Sequence, residues 1–119
     1  MQFDAESIFG PEGCIAEHLD GYECRAEQMA MAETIYGALE TERHALIEAG
    51  TGVGKSLAYL VPLIYYTVQA GKRAVVATNT ITLQEQLFNK DLPFLMKALP
   101  IEFKAEVFKG RRNYLCLAR

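Results

Sequence analysis

The sequence predicts an α/β fold in which a parallel sheet is flanked by helices. Apolar runs of strand length lie at residues 44–49, 73–78 and 103–108, and segments with helical spacing separate them. Such an alternation is typical of parallel strands joined by right-handed crossovers. The loops that follow the strands are therefore expected along one edge of the sheet.

The helices are predicted from the spacing of apolar residues and from signals at their ends. They are expected at residues 15–19, 25–40, 56–69, 82–90 and 92–99. The first of them lies in a loop-rich lead-in, residues 1–24. Pro62 should loosen or kink the helix that contains it, and Gly71 should end that helix.

Composition limits the classes of protein to which the chain can belong. Its 119 residues suffice for one small domain, and half of them are apolar, enough for a packed core. No apolar run approaches the ~18 residues of a membrane span, and the acidic start lacks the order of a signal peptide. The cytoplasm is therefore the expected compartment. Cys14, Cys24 and Cys116 lack zinc-ligand spacing and are predicted to be unpaired thiols.

Charge is distributed unevenly along the chain, whose net charge is −3. Acidic residues dominate the first 48 positions, whereas residues 109–119 contain bases and no acid. This asymmetry suggests a nucleic-acid partner for the basic side, although an ordinary solvated surface is the simpler interpretation of charge alone.

The most informative segment, residues 48–56, reads Glu-Ala-Gly-Thr-Gly-Val-Gly-Lys-Ser between an apolar run and a helix. Closely spaced glycines let backbone N–H groups surround an anion, and the helix directs its positive N-terminus to the same point. Lys55 is expected to reach the β- and γ-phosphates of a nucleotide, and Ser56 to bind Mg²⁺. The predicted contacts are those of Ala49, Gly50, Thr51, Gly52, Val53, Gly54, Lys55 and Ser56. Ala49 stands where the usual pattern has glycine, and a glycine-rich turn beside a surface lysine is the alternative.

A second segment, residues 22–28, precedes the glycine loop by some twenty residues. The amide of Gln28 can donate and accept at once, which matches the N6 and N7 edge of adenine. Tyr22 or Arg25 could stack on the base. Seen alone, the segment is more simply an ordinary helix start.

Two further segments suit a nucleic acid. Hydroxyls and amides at Thr78, Asn79, Thr80 and Gln84 surround a helix start capped by Thr80 or Thr82, and such groups contact a sugar-phosphate backbone without reading sequence. Lys109, Arg111 and Arg112 lie near Tyr114, a combination that suits a single strand. A plain helix cap and, for Cys116, an inert buried thiol are the alternatives.

Together these segments resemble the first motor domain of superfamily 2 helicases of the DinG/XPD group. The resemblance implies a RecA-like P-loop domain that uses ATP and Mg²⁺ and moves on single-stranded DNA. Residues 22–28 resemble the Q motif of those helicases, and residues 78–87 resemble their motif Ia. Residues 109–116 resemble the lead into their iron–sulfur region, where Cys116 would be the first of four ligands of a [4Fe-4S] cluster.

The resemblance divides the chain into a lead-in at residues 1–24, a partial ATP-binding domain at 25–108 and the start of an iron–sulfur region at 109–119. No Asp-Glu-x-His motif follows, nor do three more cysteines, so a fragment of a longer helicase is expected. Such a fragment should hydrolyse almost no ATP, hold no cluster and leave residues 109–119 poorly ordered. The alternatives are another P-loop NTPase or kinase, and a stand-alone nucleotide- or nucleic-acid-binding module without catalysis.

Overall fold

The computed structural model describes residues 3–48, 55–108 and 113–118, with residues 108 and 113–118 described by their backbone alone. Its helices are α1 (Ala5–Phe9), α2 (Cys14–His18), α3 (Ala26–Glu40), α4 (Lys55–Ala70), α5 (Ile81–Gln86) and α6 (Leu92–Ala98), with a π-helical turn at Leu87–Asp91. Its strands are β1 (Ala74–Thr78), β2 (Lys104–Phe108) and β3 (Asn113–Ala118). The fold class is therefore mixed α/β, as the sequence predicts.

Local signals account for the ends of several helices. The Asp4 carboxylate accepts a hydrogen bond from the Glu6 backbone N–H at 3.2 Å and starts α1. Gly71 follows α4 with φ at 67°, a left-handed conformation that glycine adopts without a steric penalty. The Lys72 N–H then bonds to the Thr67 carbonyl at 3.1 Å, which closes the end of the helix.

Two predicted helices differ in detail from their expected form. Pro62 is buried inside α4, yet this 16-residue helix continues through it to Ala70. The helix expected at residues 82–90 is instead α5 followed by the π-helical turn, which leads directly into α6. A π-helical turn widens the helix locally, so the side chains after it face a different direction from that of a regular helix.

One apolar core joins the helices to the sheet. Its fully buried side chains include Ile8, Phe9, Ile15, Leu60, Val61, Ile64, Leu87 and Leu95. Three of these belong to α1 and α2, so the segment predicted as a loop-rich lead-in supplies part of the core. Burying an apolar side chain of this size stabilises a fold by about 1.5–3 kcal/mol.

The sheet corrects the predicted parallel arrangement. Its order is β1-β3-β2, and β3 pairs antiparallel with both neighbours, so that Cys116 lies opposite Val75 on one side and Glu106 on the other. Only residues 109–112 connect β2 to β3, and a connection this short joins antiparallel strands, because a parallel pair needs a crossover of a dozen or more residues. β1 and β2 still run in the same direction, with β3 between them.

Two other expectations were wrong. Residues 44–48 form no strand in the part of the chain that the structure describes, and Leu46 is fully exposed at 103% rather than buried. No described strand pairs with them, and an extended segment becomes a strand only through a partner. Conversely, residues 113–118 of the tail expected to be poorly ordered form β3, because two neighbouring strands satisfy its backbone groups.

Helices long and apolar enough to cross a membrane are absent from the described part of the chain.

Candidate nucleotide site and nucleic-acid edge

The predicted phosphate site lies at the start of α4. Residues 49–54, which carry the predicted contacts of Ala49, Gly50, Thr51, Gly52, Val53 and Gly54, fall outside the described residues. Lys55 and Ser56 are the first two residues of the helix, and the Lys55 side chain is exposed. A helix of 16 residues directs the positive end of its dipole to this point, where an anion is stabilised.

Tyr59 lies one turn further along α4 and contacts Ser56. Burial raises the pKa of Tyr59, and a hydrogen bond with the Ser56 side chain opposes that rise. A hydroxyl has one proton and two lone pairs, so a single hydrogen bond to Tyr59 leaves Ser56 at least one lone pair. The serine can therefore bind Tyr59 and still offer oxygen to a metal ion. The contact of Tyr59 with Ser56 was not predicted from the sequence, although their i, i+3 spacing places both side chains on one face of the helix.

The segment predicted to hold adenine forms a partly buried hydrogen-bond network. The Tyr22 hydroxyl lies 2.6 Å from the backbone carbonyl oxygen of Phe9 and 3.1 Å from Oε1 of Gln28. Gln28 is only 3% exposed and has a further interaction besides this one. Because Gln28 is buried, a nucleotide base could reach its amide only after neighbouring residues move. Phe9 was missed in the sequence, because a backbone carbonyl leaves no signal in side-chain identity.

The two residues considered for base stacking are placed differently. The Tyr22 ring packs against the core while its hydroxyl is engaged with α1. Arg25 is exposed at the N-cap of α3 and forms a 3.4 Å ion pair with Glu23. Of the two, Arg25 has the freedom to cover a base.

Two of the three cysteines are described with their side chains, and both are free thiols, as predicted. Cys14 is half-buried, and burial raises the pKa of its thiol. Cys24 is exposed, with Sγ 3.8 Å from Sδ of Met29. Cys116 lies in β3, where the backbone alone is described.

The predicted nucleic-acid edge is the loop between β1 and α5. Thr80 is the N-cap of α5, because its Oγ1 accepts a hydrogen bond from the Leu83 N–H at 3.1 Å. The Thr78 hydroxyl donates to the Thr80 carbonyl at 3.3 Å. Asn79 and Thr80 are exposed, whereas Gln84 is 1% exposed and faces the interior. The predicted partners Lys109, Arg111 and Arg112 lie outside the described residues.

A carboxylate that no sequence signal indicated lies at the end of the π-helical turn. Asp91 is partly buried, and its Oδ2 has no hydrogen-bond partner among the residues that the structure describes. Burial raises the pKa of this carboxyl, and the charge of Lys90 opposes the rise. The π-helical turn contacts α4, and the charge of Asp91 adds to the rise in the pKa of Tyr59.

A glycine-rich stretch of sequence directly before a long helix, followed by a strand that ends in a hydroxyl-rich loop, is typical of a P-loop nucleotide-binding domain. Residues 25–113 match the model of the DEAD/DEAH box helicase family, and the chain belongs to that family. Membership implies a RecA-like P-loop fold. The predicted helicase family is thereby confirmed, whereas the iron–sulfur region stays a prediction.

Relatives of known name extend over nearly the whole chain. It is 42% identical over 113 residues to the ATP-dependent DNA helicase YoaA of Haemophilus influenzae, covering 95% of the chain and 17% of that protein. It is 50% identical over 97 residues to the ATP-dependent helicase DinG of Mycobacterium tuberculosis, covering 78% and 15%. The 3'-5' exonuclease DinG of Bacillus subtilis is 37% identical over 118 residues, covering 98% and 13%. The chain thus spans less than a fifth of the length of these relatives.

Proposed function

We propose that this chain is the ATP-binding part of an ATP-dependent DNA helicase that couples ATP hydrolysis to movement along single-stranded DNA. The observation that carries the proposal is the position of Lys55 and Ser56 as the first residues of α4, directly after the glycine-rich segment. Backbone N–H groups, a helix dipole and a lysine then converge on one anion. The names of the relatives support this function, and nothing observed favours a stand-alone module or another kind of NTPase.

ATP binding divides between two groups of residues. Residues 49–54 and Lys55 hold the phosphates, while Ser56 provides an oxygen for Mg²⁺. Gln28 reads the adenine edge, and the exposed guanidinium of Arg25 covers the base. When bound at Ser56, Mg²⁺ would screen the charge of the phosphates that the lysine contacts.

Single-stranded DNA binds along the edge formed by Thr78, Asn79 and Thr80. Exposed hydroxyl and amide groups at the start of a helix suit phosphate oxygens. Gln84, being buried, supports α5 from inside rather than contacting the strand. Lys109, Arg111 and Arg112 add the positive charge that attracts the backbone of DNA.

We further propose that Cys116 is one ligand of a [4Fe-4S] cluster in the full-length protein, as the resemblance implies. Such a cluster takes four thiolates, and Cys14 and Cys24 are free thiols in the lead-in and near α3. The residues of this chain therefore do not make a complete cluster site. Purified full-length protein should be brown and contain iron, and Cys116→Ser should remove both while ATP binding persists. Undiminished iron in that variant contradicts the assignment.

The proposed helicase function is tested with Lys55→Ala in the full-length protein. Loss of the charged donor at the phosphates is expected to lower DNA-stimulated ATP hydrolysis by about 10²–10³ in kcat, the usual cost of removing a preorganised donor. Turnover with and without single-stranded DNA and equilibrium binding of ATP measure the effect.

Lys72→Ala is the matched control, because Lys72 is an exposed lysine just beyond the opposite end of α4. Its weak 3.8 Å ion pair with Glu42 should matter little, so turnover should stay near that of the wild type. Equal activities of Lys55→Ala and the wild type would overturn the proposed function.

A further inference from the structure

Tyr59 is a half-buried tyrosine to which the proposed function assigns no role. It lies one turn after Ser56 on α4, at the i, i+3 spacing that places two side chains on one face of a helix. Its ring packs against the apolar core, and its side chain forms a hydrogen bond with that of Ser56. A hydroxyl anchored by its ring therefore lies directly beside the proposed Mg²⁺ ligand.

A serine that binds a metal ion must direct its proton away from that ion. Its hydroxyl oxygen offers a lone pair to the ion, whereas its proton carries positive charge and is repelled. With Tyr59 as hydrogen-bond partner, Ser56 can donate this proton to the tyrosine oxygen, which has two lone pairs. The lone pairs of Ser56 then face away from the tyrosine.

Tyr59 in turn needs an acceptor for its own proton, and a buried carboxylate is present on the neighbouring element. Asp91 belongs to the π-helical turn at Leu87–Asp91, which contacts α4. Its Oδ2 is buried and has no hydrogen-bond partner among the residues that the structure describes. A buried acceptor without a partner costs free energy, and the charge of Asp91 acts on Tyr59. A hydrogen bond from Tyr59 to Asp91 would remove this cost.

We propose that Tyr59 is a positioning residue that keeps the Ser56 proton away from Mg²⁺ and a Ser56 lone pair toward it, with Asp91 as the acceptor for the Tyr59 proton. This inference rests on the proposed role of Ser56 in Mg²⁺ binding. Without the tyrosine oxygen the Ser56 hydroxyl rotates more freely, and some of its orientations aim the proton at the ion. In this role Tyr59 contacts neither ATP nor the ion, so its effect appears only where the metal is bound.

The test is Tyr59→Phe in the full-length protein, with the equilibrium affinity for ATP measured in Mg²⁺ and again in excess EDTA. The ratio of the two affinities reports what the metal ion adds to binding. We expect Tyr59→Phe to lower this ratio by about two- to tenfold, the usual worth of one hydrogen bond, and to leave the metal-free affinity unchanged. A merely structural role would lower both affinities together or neither, and either result would overturn the proposal.

A double-mutant cycle with Ser56→Ala shows whether Tyr59 acts through Ser56. Ser56→Ala removes the serine hydroxyl, so adding Tyr59→Phe to it should lower the ratio no further. A second loss as large as the first would show that Tyr59 acts independently and would reject the positioning role alone. If Ser56→Ala itself keeps the wild-type ratio, the assigned role of Ser56 fails first.

Tyr66→Phe is the matched control. Tyr66 is a partly buried tyrosine near the other end of the same helix, where Nζ of Lys72 lies 5.9 Å from the centre of its ring. The affinity ratio of this variant should equal that of the wild type. A loss as large as that of Tyr59→Phe would mean that the effect is general to α4 and would count against the proposal.

Two substitutions of Asp91 test the acceptor behind Tyr59. Asp91→Leu removes both acceptor oxygens and should lower the affinity ratio, though less than Tyr59→Phe does, because Ser56 can still donate to Tyr59. Asp91→Asn retains a carbonyl oxygen and should keep a ratio near that of the wild type. An unchanged ratio in Asp91→Leu would overturn the part assigned to Asp91.

Discussion

The proposed nucleotide end, around Tyr22 and Gln28, and the proposed nucleic-acid edge, residues 78–80, are built in contrasting ways. At the nucleotide end, Tyr22 bonds to a carbonyl 13 residues away in α1 and to a buried amide of α3. At the nucleic-acid edge, the bonds of Thr78 and Thr80 span two and three residues, and the groups are exposed. The first arrangement exists only in the folded protein, whereas the second is specified by the adjacent sequence.

This difference indicates what each region requires of the fold. A base with several similar competitors is discriminated by groups held in one orientation, and such groups are best held away from water. A sugar-phosphate backbone is recognised whatever its sequence, so exposed hydroxyls at a helix start suffice. Damage to the core should therefore reach the nucleotide end sooner than the nucleic-acid edge.

The largest effect is expected from Phe9→Ala. Phe9 is fully buried, and its carbonyl holds Tyr22, so the substitution leaves a cavity beneath the nucleotide end. It should lower the free energy of unfolding by about 3–5 kcal/mol, as measured by urea denaturation. ATP affinity should fall more than affinity for single-stranded DNA.

Leu19→Ala serves as its control, because Leu19 lies in the same lead-in but is 40% exposed. Its substitution should change stability by no more than about 0.5 kcal/mol. Comparable losses in the two variants would mean that the lead-in is only loosely attached to the core and would break the comparison.

A smaller effect is expected from Thr80→Ala at the other end. Loss of the N-cap hydrogen bond to Leu83 should cost about 1 kcal/mol of stability and weaken binding of single-stranded DNA, while ATP affinity stays unchanged. Thr80→Ser should restore both properties, since serine caps as well as threonine. Denaturation and fluorescence anisotropy with a labelled single strand measure the two quantities.

Thr82→Ala is the matched control for the cap, because Thr82 is an exposed threonine one residue inside α5. It should leave stability nearly unchanged. If Thr80→Ala weakens ATP binding as strongly as it weakens DNA binding, the two regions are coupled and the contrast between them does not hold.

The helices were largely predictable, whereas the pairing of the strands was not. Helical hydrogen bonds link residues four apart, so apolar spacing and end signals such as Thr80 and Gly71 suffice to place α3, α4 and α5. The π-helical turn, in which Leu87 is buried, escaped prediction because no residue type in it signals such a turn. Strand propensity identified β1 and β2 but assigned a strand to residues 44–49 and none to residues 113–118.

The sequence by itself determined the family, most of the helices and the hydroxyl cap at Thr80, because each depends on residues close together in the chain. Tertiary structure alone decided the antiparallel order of the sheet, the burial of Gln28 and Gln84, and the bond that joins Tyr22 to Phe9. Each of these requires segments distant in sequence to meet, and the free energy of such a meeting depends on all the surfaces buried with it rather than on any local pattern.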